Sequence, residues 1–269
     1  MMEFASALAV FALLGASSLG GLYVQGRLRA EHRSRETIEL LQLVIGMLVT
    51  FSALVLGLLT NSAEITYEKA RQDRAQYAIE LAQLDLCLRN YGTKAEPARA
   101  NLHSYTAAVI ASTWPAEAPP SGVRYPDTAG MPRTGEDPVL ARLMNRIGLD
   151  IHRLNPPDTF EAGLAESCLE NYRSVLHARA AVVEDTDRRI STPFYRVLVF
   201  WLMIVFASFG LCTPRNRLAL IVIVLAAVSV GTALFVISDL FRPYRGMFAI
   251  SSDTMRAALA HMLAPVGSP

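Results

Sequence analysis

The stretch that decides the fold is LLQLVIGMLVTFSALVLGLLT, residues 40–60, which carries no charged side chain. A helix that crosses a bilayer needs about 20 mostly apolar residues, because lipid offers backbone N–H and C=O groups no partner outside the helix. Two further stretches, 4–24 and 218–237, are also uncharged, and a fourth apolar stretch at 194–211 has one charged side chain, Arg196, near its start. The sequence therefore predicts an all-α integral membrane protein with four transmembrane helices.

The composition supports this class and excludes several others. The chain has 269 residues, 52% of them hydrophobic, and a net charge of +1, with long uncharged stretches on either side of a charged middle segment. Such a chain is neither disordered nor a nucleic-acid binder that relies on bulk positive charge. Three cysteines are too few for a zinc ribbon or a disulfide framework. We expect contact with membrane lipid and none with nucleic acid.

Arginine placement predicts the orientation in a bacterial inner membrane. Basic residues follow the first span and lie between the third and fourth, at Arg27, Arg29, Arg33, Arg35, Arg215 and Arg217. The positive-inside rule then places both turns in the cytoplasm, and both termini and the middle segment in the periplasm. The long middle segment carries an opposing signal at Lys69, Arg71, Arg74, Arg188 and Arg189, but long loops count less in this rule. The first span has no Lys or Arg before it, which favours an uncleaved helix over a signal peptide.

Residues 62–192 are predicted to form a helical extramembrane domain between two pairs of spans, 1–61 and 193–238. Prolines after Glu96, Asp137 and Thr192 indicate helix starts, Asp158 and Glu161 indicate another, and Gly92 indicates a helix end at Tyr91. Apolar residues recur at helical spacing along four lines: Tyr77, Leu81, Leu84, Leu88, Tyr91; Leu102, Tyr105, Val109, Thr113; Leu140, Leu143, Ile147, Ile151, Leu154; and Leu169, Tyr172, Leu176, Val183, Ile190. A flexible loop is expected near 115–136. The simplest arrangement extends spans two and three beyond the bilayer as a stalk.

Cys87 and Cys168 are candidates for a disulfide. Cys87 lies 26 residues after Asn61, and Cys168 lies 26 residues before Phe194. In two antiparallel helices both would stand about 39 Å from the membrane, so they could pair in an oxidising compartment. The alternative is two unrelated buried thiols. Cys212, at the predicted cytoplasmic turn, is expected to be free.

The tail, residues 239–269, is predicted to form an interfacial turn followed by an amphipathic helix. Aromatic and basic side chains favour the membrane–water interface, and the candidate anchors are Trp201, Phe241, Arg242, Tyr244 and Arg245. Ser251 and Ser252 can cap a helix with Met255, Leu259 and Met262 on one face. That helix is expected either on the membrane surface or against the stalk.

Recognisable enzyme chemistry is missing from the sequence. The five histidines have no metal-ligand spacing with each other or with cysteine. Neither a glycine-rich phosphate loop nor a serine nucleophile elbow is present. We therefore expect neither an enzyme, nor a bound metal, nor a cofactor.

Several motifs resemble the bestrophin-like-domain family of bacterial membrane proteins. They are STPFY at 191–195, FWL at 200–202, FASFG at 206–210, DLFRPYRG at 239–246, GMLVTFSALVLG at 46–57 and CLRNYG at 87–92. The resemblance implies a four-span membrane protein related to bestrophins, which are pentameric anion channels. A bestrophin pore has a neck lined by aromatic residues of its second span, and here that span offers Phe51.

Two functions follow as hypotheses. The first is an oligomeric ion channel or pore of identical subunits, with the second span as its lining and Thr50, Phe51, Thr60 and Asn61 as candidate residues. The second is a non-conducting membrane scaffold or sensor whose extramembrane domain binds a small ligand or a protein. Small residues in the first span, among them Gly20 and Gly21, favour close helix packing instead of a pore.

Overall fold

The computed structural model describes residues 2–27, 35–132, 137–187, 192–213, 217–244 and 246–264. Within these ranges the regular elements are helices and no strand occurs, as the sequence predicts. The helices are α1 (Met2–Arg27), α2 (Arg35–Tyr91), α3 (Glu96–Thr113), α4 (Pro138–His152), α5 (Thr159–Asp187), α6 (Thr192–Cys212), α7 (Arg217–Leu240) and α8 (Asp253–Leu263), with a 3-10 turn at Thr93–Ala95. Among them α1, α2, α6 and α7 contain segments long and apolar enough to cross a membrane.

The chain divides into two compact units. The first unit comprises Met1–Tyr67 and Arg189–Phe248, and the second comprises Glu68–Arg188 and Ala249–Pro269. The first unit contains α1, the beginning of α2, α6 and α7. The second unit contains the end of α2 together with α3, α4, α5 and α8. Each unit is described by itself below.

The helix ends follow the local signals in the sequence. Helix α2 ends at Tyr91, and Gly92 follows with φ of 91°, a left-handed conformation that glycine adopts without strain. At the start of α4 the Asp137 carboxylate accepts a 2.7 Å hydrogen bond from the Val139 backbone N–H. Asp158 accepts a 2.8 Å bond from the Glu161 N–H at the start of α5. These bonds satisfy amides that the first turn of a helix leaves without partners.

The first unit is held together by a tight crossing of α1 and α6 and by an apolar cluster. A Cβ atom added at Gly21 would collide with the Ala207 carbonyl, and one added at Gly210 would collide with the Ser18 carbonyl. Only glycine allows the two backbones to come this close, which is how helices associate in lipid. The cluster joins side chains of α1, α2, α6 and α7: Leu14, Leu59, Ala63, Leu198, Leu202, Phe206, Ile223, Ala227, Leu234 and Ile237.

The second unit has a core of apolar side chains, and three of the four predicted apolar lines point into it. Tyr77, Leu81, Leu84, Leu88 and Tyr91 are all buried on α2. The α5 line is wrong at Leu176, and its last residue, Ile190, lies outside the described residues. Cys168, Tyr172, Val175 and Val182 are buried on that helix, whereas Leu176 is 36% exposed. Two sets with a seven-residue repeat lie side by side there, and the spacing by itself does not say which of them faces the core.

Helix α8 packs against α3 inside the second unit. Met255, Leu259 and Met262 form its buried face. The chain leading into α8 is fixed by the indole of Trp114, whose Nε1 donates a 2.7 Å hydrogen bond to the Ile250 carbonyl.

Candidate functional site

The membrane-spanning part of α2 has one narrow buried face. Ile45, Ser52, Leu59 and Ala63 are at most 9% exposed, and their spacing of seven, seven and four residues keeps them on one side of the helix. Most of the other side chains between residues 39 and 65 are exposed. Because this segment is apolar, its exposed surface suits contact with lipid or with another membrane helix.

A stripe of mixed character runs along α2 opposite this buried face. Thr50 and Asn61 are both exposed, and they lie about 20° apart around the helix at about 100° per residue. Leu54 and Gly57 fill the turns between them and are also exposed. The hydroxyl, the amide and the backbone beside Gly57 therefore share a single line, which points away from the core of the unit.

Phe51 and Thr60, the other two candidate lining residues, do not lie on this line. Nine residues separate them, so they lie about 180° apart around the helix, on the two flanks of the stripe. The Phe51 ring is 6.3 Å from the ring of Trp201 on α6. The four candidates thus divide into a pair on the stripe, Thr50 and Asn61, and a pair on its flanks, Phe51 and Thr60.

The hydroxyl protons of both threonines are used within the helix. Thr50 Oγ1 donates to the Gly46 carbonyl at 2.9 Å, and Thr60 Oγ1 donates to the Leu56 carbonyl at 2.8 Å. A hydroxyl bonded in this way still presents oxygen lone pairs to its surroundings. Thr50 therefore contributes an acceptor to the stripe.

The predicted interfacial anchors differ in exposure. Phe241 and Tyr244 are 7% exposed, so both aromatic side chains are buried in the first unit. Trp201 is half-buried and Arg242 is exposed. Arg245 lies outside the described residues. Anchoring by these side chains stays a prediction.

Asp239 organises the turn after α7 and was not singled out by the sequence. Its carboxylate accepts hydrogen bonds from the backbone N–H groups of Met247 at 3.2 Å and Phe248 at 2.9 Å. Gly246, with φ of 116°, packs so closely on this carboxylate that an added Cβ would collide with it. The spacing from Asp239 to Gly246 is a local signal for such a turn, and aspartate accepting from nearby backbone amides is common in turns.

The family is shown by a comparison that covers most of the sequence. The model of the Bestrophin-like domain matches residues 12–255. The chain belongs to the Bestrophin-like family. No curated protein is significantly similar to it in sequence.

Solved structures show the same fold at low sequence identity. A tryptophan-to-alanine variant of a bacterial bestrophin homologue from Klebsiella pneumoniae is similar with a TM-score of 0.64 and 14% identity, over 98% of this chain and 97% of that one. An aspartate-to-alanine variant of the Klebsiella homologue has a TM-score of 0.61 and 15% identity, over 95% and 98% of the two chains. The Bestrophin-like chain thus shares the helical architecture of these proteins along nearly its whole length.

The second unit of this Bestrophin-like protein contains a disulfide between α2 and α5. The Sγ atoms of Cys87 and Cys168 are 2.05 Å apart, and the two cysteines have a sequence separation of 81. Cys212, at the end of α6, is free and exposed. The bond fixes the two long helices of the second unit to each other.

Asp85 in the second unit is a buried carboxylate, although its position on a helix favours a surface role from the sequence alone. It is 1% exposed and accepts from Arg89 at 2.9 Å, Arg99 at 2.8 Å and His103 at 2.7 Å. Burial raises the pKa of Asp85, but the hydrogen bonds from His103 and Arg99 together lower it by more. The pKa of Asp85 therefore lies below its ordinary value of 3.8. Arg89 and Arg99 also each donate to the Met262 carbonyl at 3.0 Å, which fixes the end of α8. Only the Asp85–Arg89 spacing of four residues is visible in sequence.

Metal-ligating side chains do not gather anywhere in the described ranges: no three of His, Cys, Asp or Glu lie close enough to share an ion. A cavity of about 520 Å³ lies beside the 114–132 segment of the second unit. Glu117, Tyr125, Asp127 and Met131 are among its lining residues.

Proposed function

We propose that this protein forms an ion channel from several copies of the chain, with α2 lining the conduction path. The observation that carries the proposal is the stripe of Thr50, Leu54, Gly57 and Asn61, which lies opposite the buried face of α2. When copies surround an axis with their cores outward, this stripe faces the axis. The path would then be lined by the Thr50 hydroxyl, the Asn61 amide and the backbone beside Gly57, with Leu54 as an apolar constriction of the kind that gates channels.

The flanks of the stripe suit contacts between neighbouring copies. One flank carries bulky apolar residues, Phe51 and Leu58, which are 46% and 63% exposed. The other carries smaller residues, Ala53 and Thr60, which are also exposed. Bulky side chains of one copy can pack against small ones of the next, and such a head-to-tail contact forms a ring when its rotation closes. Phe51 and Thr60 are therefore proposed as subunit contacts, with Thr50 and Asn61 as lining.

We place the protein in the inner membrane, with the second unit in the periplasm. The Cys87–Cys168 disulfide supports this orientation, because such bonds persist in oxidising compartments. The arginines that follow α1 support it independently through the positive-inside rule.

The channel is tested by ion flux through liposomes that contain the purified protein. Thr50→Phe places a bulky ring on the stripe, and we expect it to lower the flux about tenfold or more. Val222→Phe is the matched control, because Val222 is 62% exposed on α7 and does not belong to the stripe. Flux that is equal in the two variants would remove α2 from the path.

The cavity in the second unit favours a second candidate, a non-conducting scaffold or sensor. Glu117 and Tyr125 give it charged and aromatic lining suited to a small polar ligand. This function is supported if oligomeric, folded protein carries no ions while added ligands raise its melting temperature. Glu117→Gln should then weaken that stabilisation, because it removes the charge at the cavity wall.

A further inference from the structure

We infer that the α2 stripe selects cations over anions, and that Glu64 is the main selecting residue. This inference rests on the proposed channel and concerns which ions pass through it. Three observations carry it: the position of the acidic residues of α2, the orientation of the Thr50 hydroxyl, and the lack of an ion pair between Glu64 and any other described residue.

Every acidic residue of α2 in the first unit lies on the stripe. These are Glu36, Glu39 and Glu64, and the segment from residue 36 to residue 67 contains no Lys or Arg. Relative to Thr50 they lie at about +40°, −20° and −40° around the helix. The stripe itself is defined by burial, independently of charge, so the coincidence of the two patterns is informative.

The carboxylates lie at the two ends of the spanning segment. Glu39 and Glu64 are separated by about 38 Å along the helix, whereas the hydrocarbon layer is about 30 Å thick. Each carboxylate can therefore remain hydrated and ionised at a mouth of the path. In an oligomer each position becomes a ring of negative charge, which attracts cations and repels anions.

Between these ends the stripe offers acceptors. The proton of Thr50 is committed to the Gly46 carbonyl at 2.9 Å, so the hydroxyl presents oxygen lone pairs to the path. Oxygen lone pairs replace part of the hydration shell of a cation, whereas an anion needs donors. This second feature favours the same sign of ion as the carboxylates.

Glu64 is expected to dominate over the other glutamates. The basic residues at 27–35 precede Glu36 and Glu39 in the chain and offset their charge. Glu68, one turn beyond Glu64, is bonded to Arg71 at 2.8 Å and to Gln72 at 2.9 Å. No hydrogen bond or ion pair joins Glu64 to another described residue, and its side chain is exposed. Its full charge is therefore available to passing ions.

The test is the reversal potential of the reconstituted protein under a potassium chloride gradient. We expect the wild type to prefer K⁺ over Cl⁻ by about tenfold, which is the lower end of the range over which focused surface charge raises the local concentration of ions. We take the lower end because moderate salt screens these charges. Glu64→Gln keeps the shape of the side chain and should bring the ratio close to one, and Glu64→Lys should reverse it. Glu170→Gln is the control, because Glu170 is a surface glutamate of α5, 68% exposed and paired with Arg173.

The outcomes separate this inference from the channel itself. A wild type that conducts with no preference or prefers Cl⁻, or a Glu64→Gln variant with unchanged selectivity, overturns the inference and leaves the channel intact. A wild type that carries neither ion overturns both. A loss of selectivity that is equally large in Glu170→Gln would assign the effect to overall charge and remove Glu64 from the role.

Discussion

The two units bury their side chains by opposite rules. In the first unit large apolar residues face outward, as at Leu218 and Leu225, which are 73% and 68% exposed, while glycines occupy the closest helix crossing. In the second unit Leu84 and Ile147 are fully buried. In lipid no hydrophobic effect drives apolar side chains into a core, so helices there associate through close backbone packing. In water the hydrophobic effect drives them into a core.

Polar groups follow the same division. In the first unit the buried carboxylate of Asp239 is satisfied by backbone amides of its own turn. In the second unit Asp85 gathers charged side chains from two helices, and a disulfide joins two long helices. We therefore predict that a substitution which destabilises one unit leaves the stability of the other unchanged.

The largest effect is expected from the disulfide and only on the second unit. Replacing both Cys87 and Cys168 by serine should lower the stability of that unit by about 4 kcal/mol, because the bond closes a loop with a sequence separation of 81. Hydrogen exchange in detergent separates the two units: amides of α3 and α4 should lose protection while those of α1 keep theirs. Equal loss of amide protection in both units would contradict the prediction that the disulfide stabilises only the second unit. Alkylation of unreduced wild type should label Cys212 alone.

A smaller effect, confined to the first unit, is expected at the α1–α6 crossing. Gly21→Ala inserts a methyl group against the Ala207 carbonyl and should cost about 3 kcal/mol, since neither backbone can move without disturbing the other. Gly20→Ala is a neighbouring control, because a Cβ there meets nothing within 4 Å. Thermal unfolding followed by tryptophan fluorescence in detergent measures both. If both variants melt like the wild type, close backbone packing does not hold this unit together.

The smallest effect, on the second unit, depends on pH. Asp85→Asn should cost about 2 kcal/mol at pH 7, because hydrogen bonds to charged groups are lost. The folded-state pKa of Asp85 is below its ordinary 3.8, so its contribution is fully present above about pH 4 and is lost as pH falls through the folded value. The stability gap between wild type and variant should therefore narrow below pH 4. A gap that stays constant down to pH 2 would contradict the assignment.

The sequence predicts the helices well because their signals are local. Uncharged runs locate the spans, and Gly92 and Asp137 mark helix ends through backbone geometry and capping. The α5 line is less certain because Leu176 and Val175 are adjacent and both apolar. Which of them is buried depends on partners far away in sequence.

The sequence specifies the candidate site only in part, for a similar reason. Residue type identifies Thr50, Phe51, Thr60 and Asn61 as candidates. Which of them lie opposite the buried face of α2 depends on where that face is, and the sequence does not show its position. The Asp85 cluster depends on Arg99 and on the Met262 carbonyl, which are distant in sequence. Asp239 has a local signal in its spacing to Gly246, but the sequence does not show that its partners are the backbone amides of its own turn.

The packing of α1 has a consequence for how the protein is made. Its partners in the first unit are α6 and α7, and 165 positions separate Arg27 at the end of α1 from Thr192 at the start of α6. At the usual speed of translation the ribosome needs on the order of ten to thirty seconds to cover that distance. During that interval the glycine face of α1 is inserted in the membrane without its final partner, and so is Gln25, whose amide later donates to the Thr213 carbonyl at 2.9 Å. We therefore expect lipid or an insertase to cover this face of α1 until α6 and α7 have been inserted.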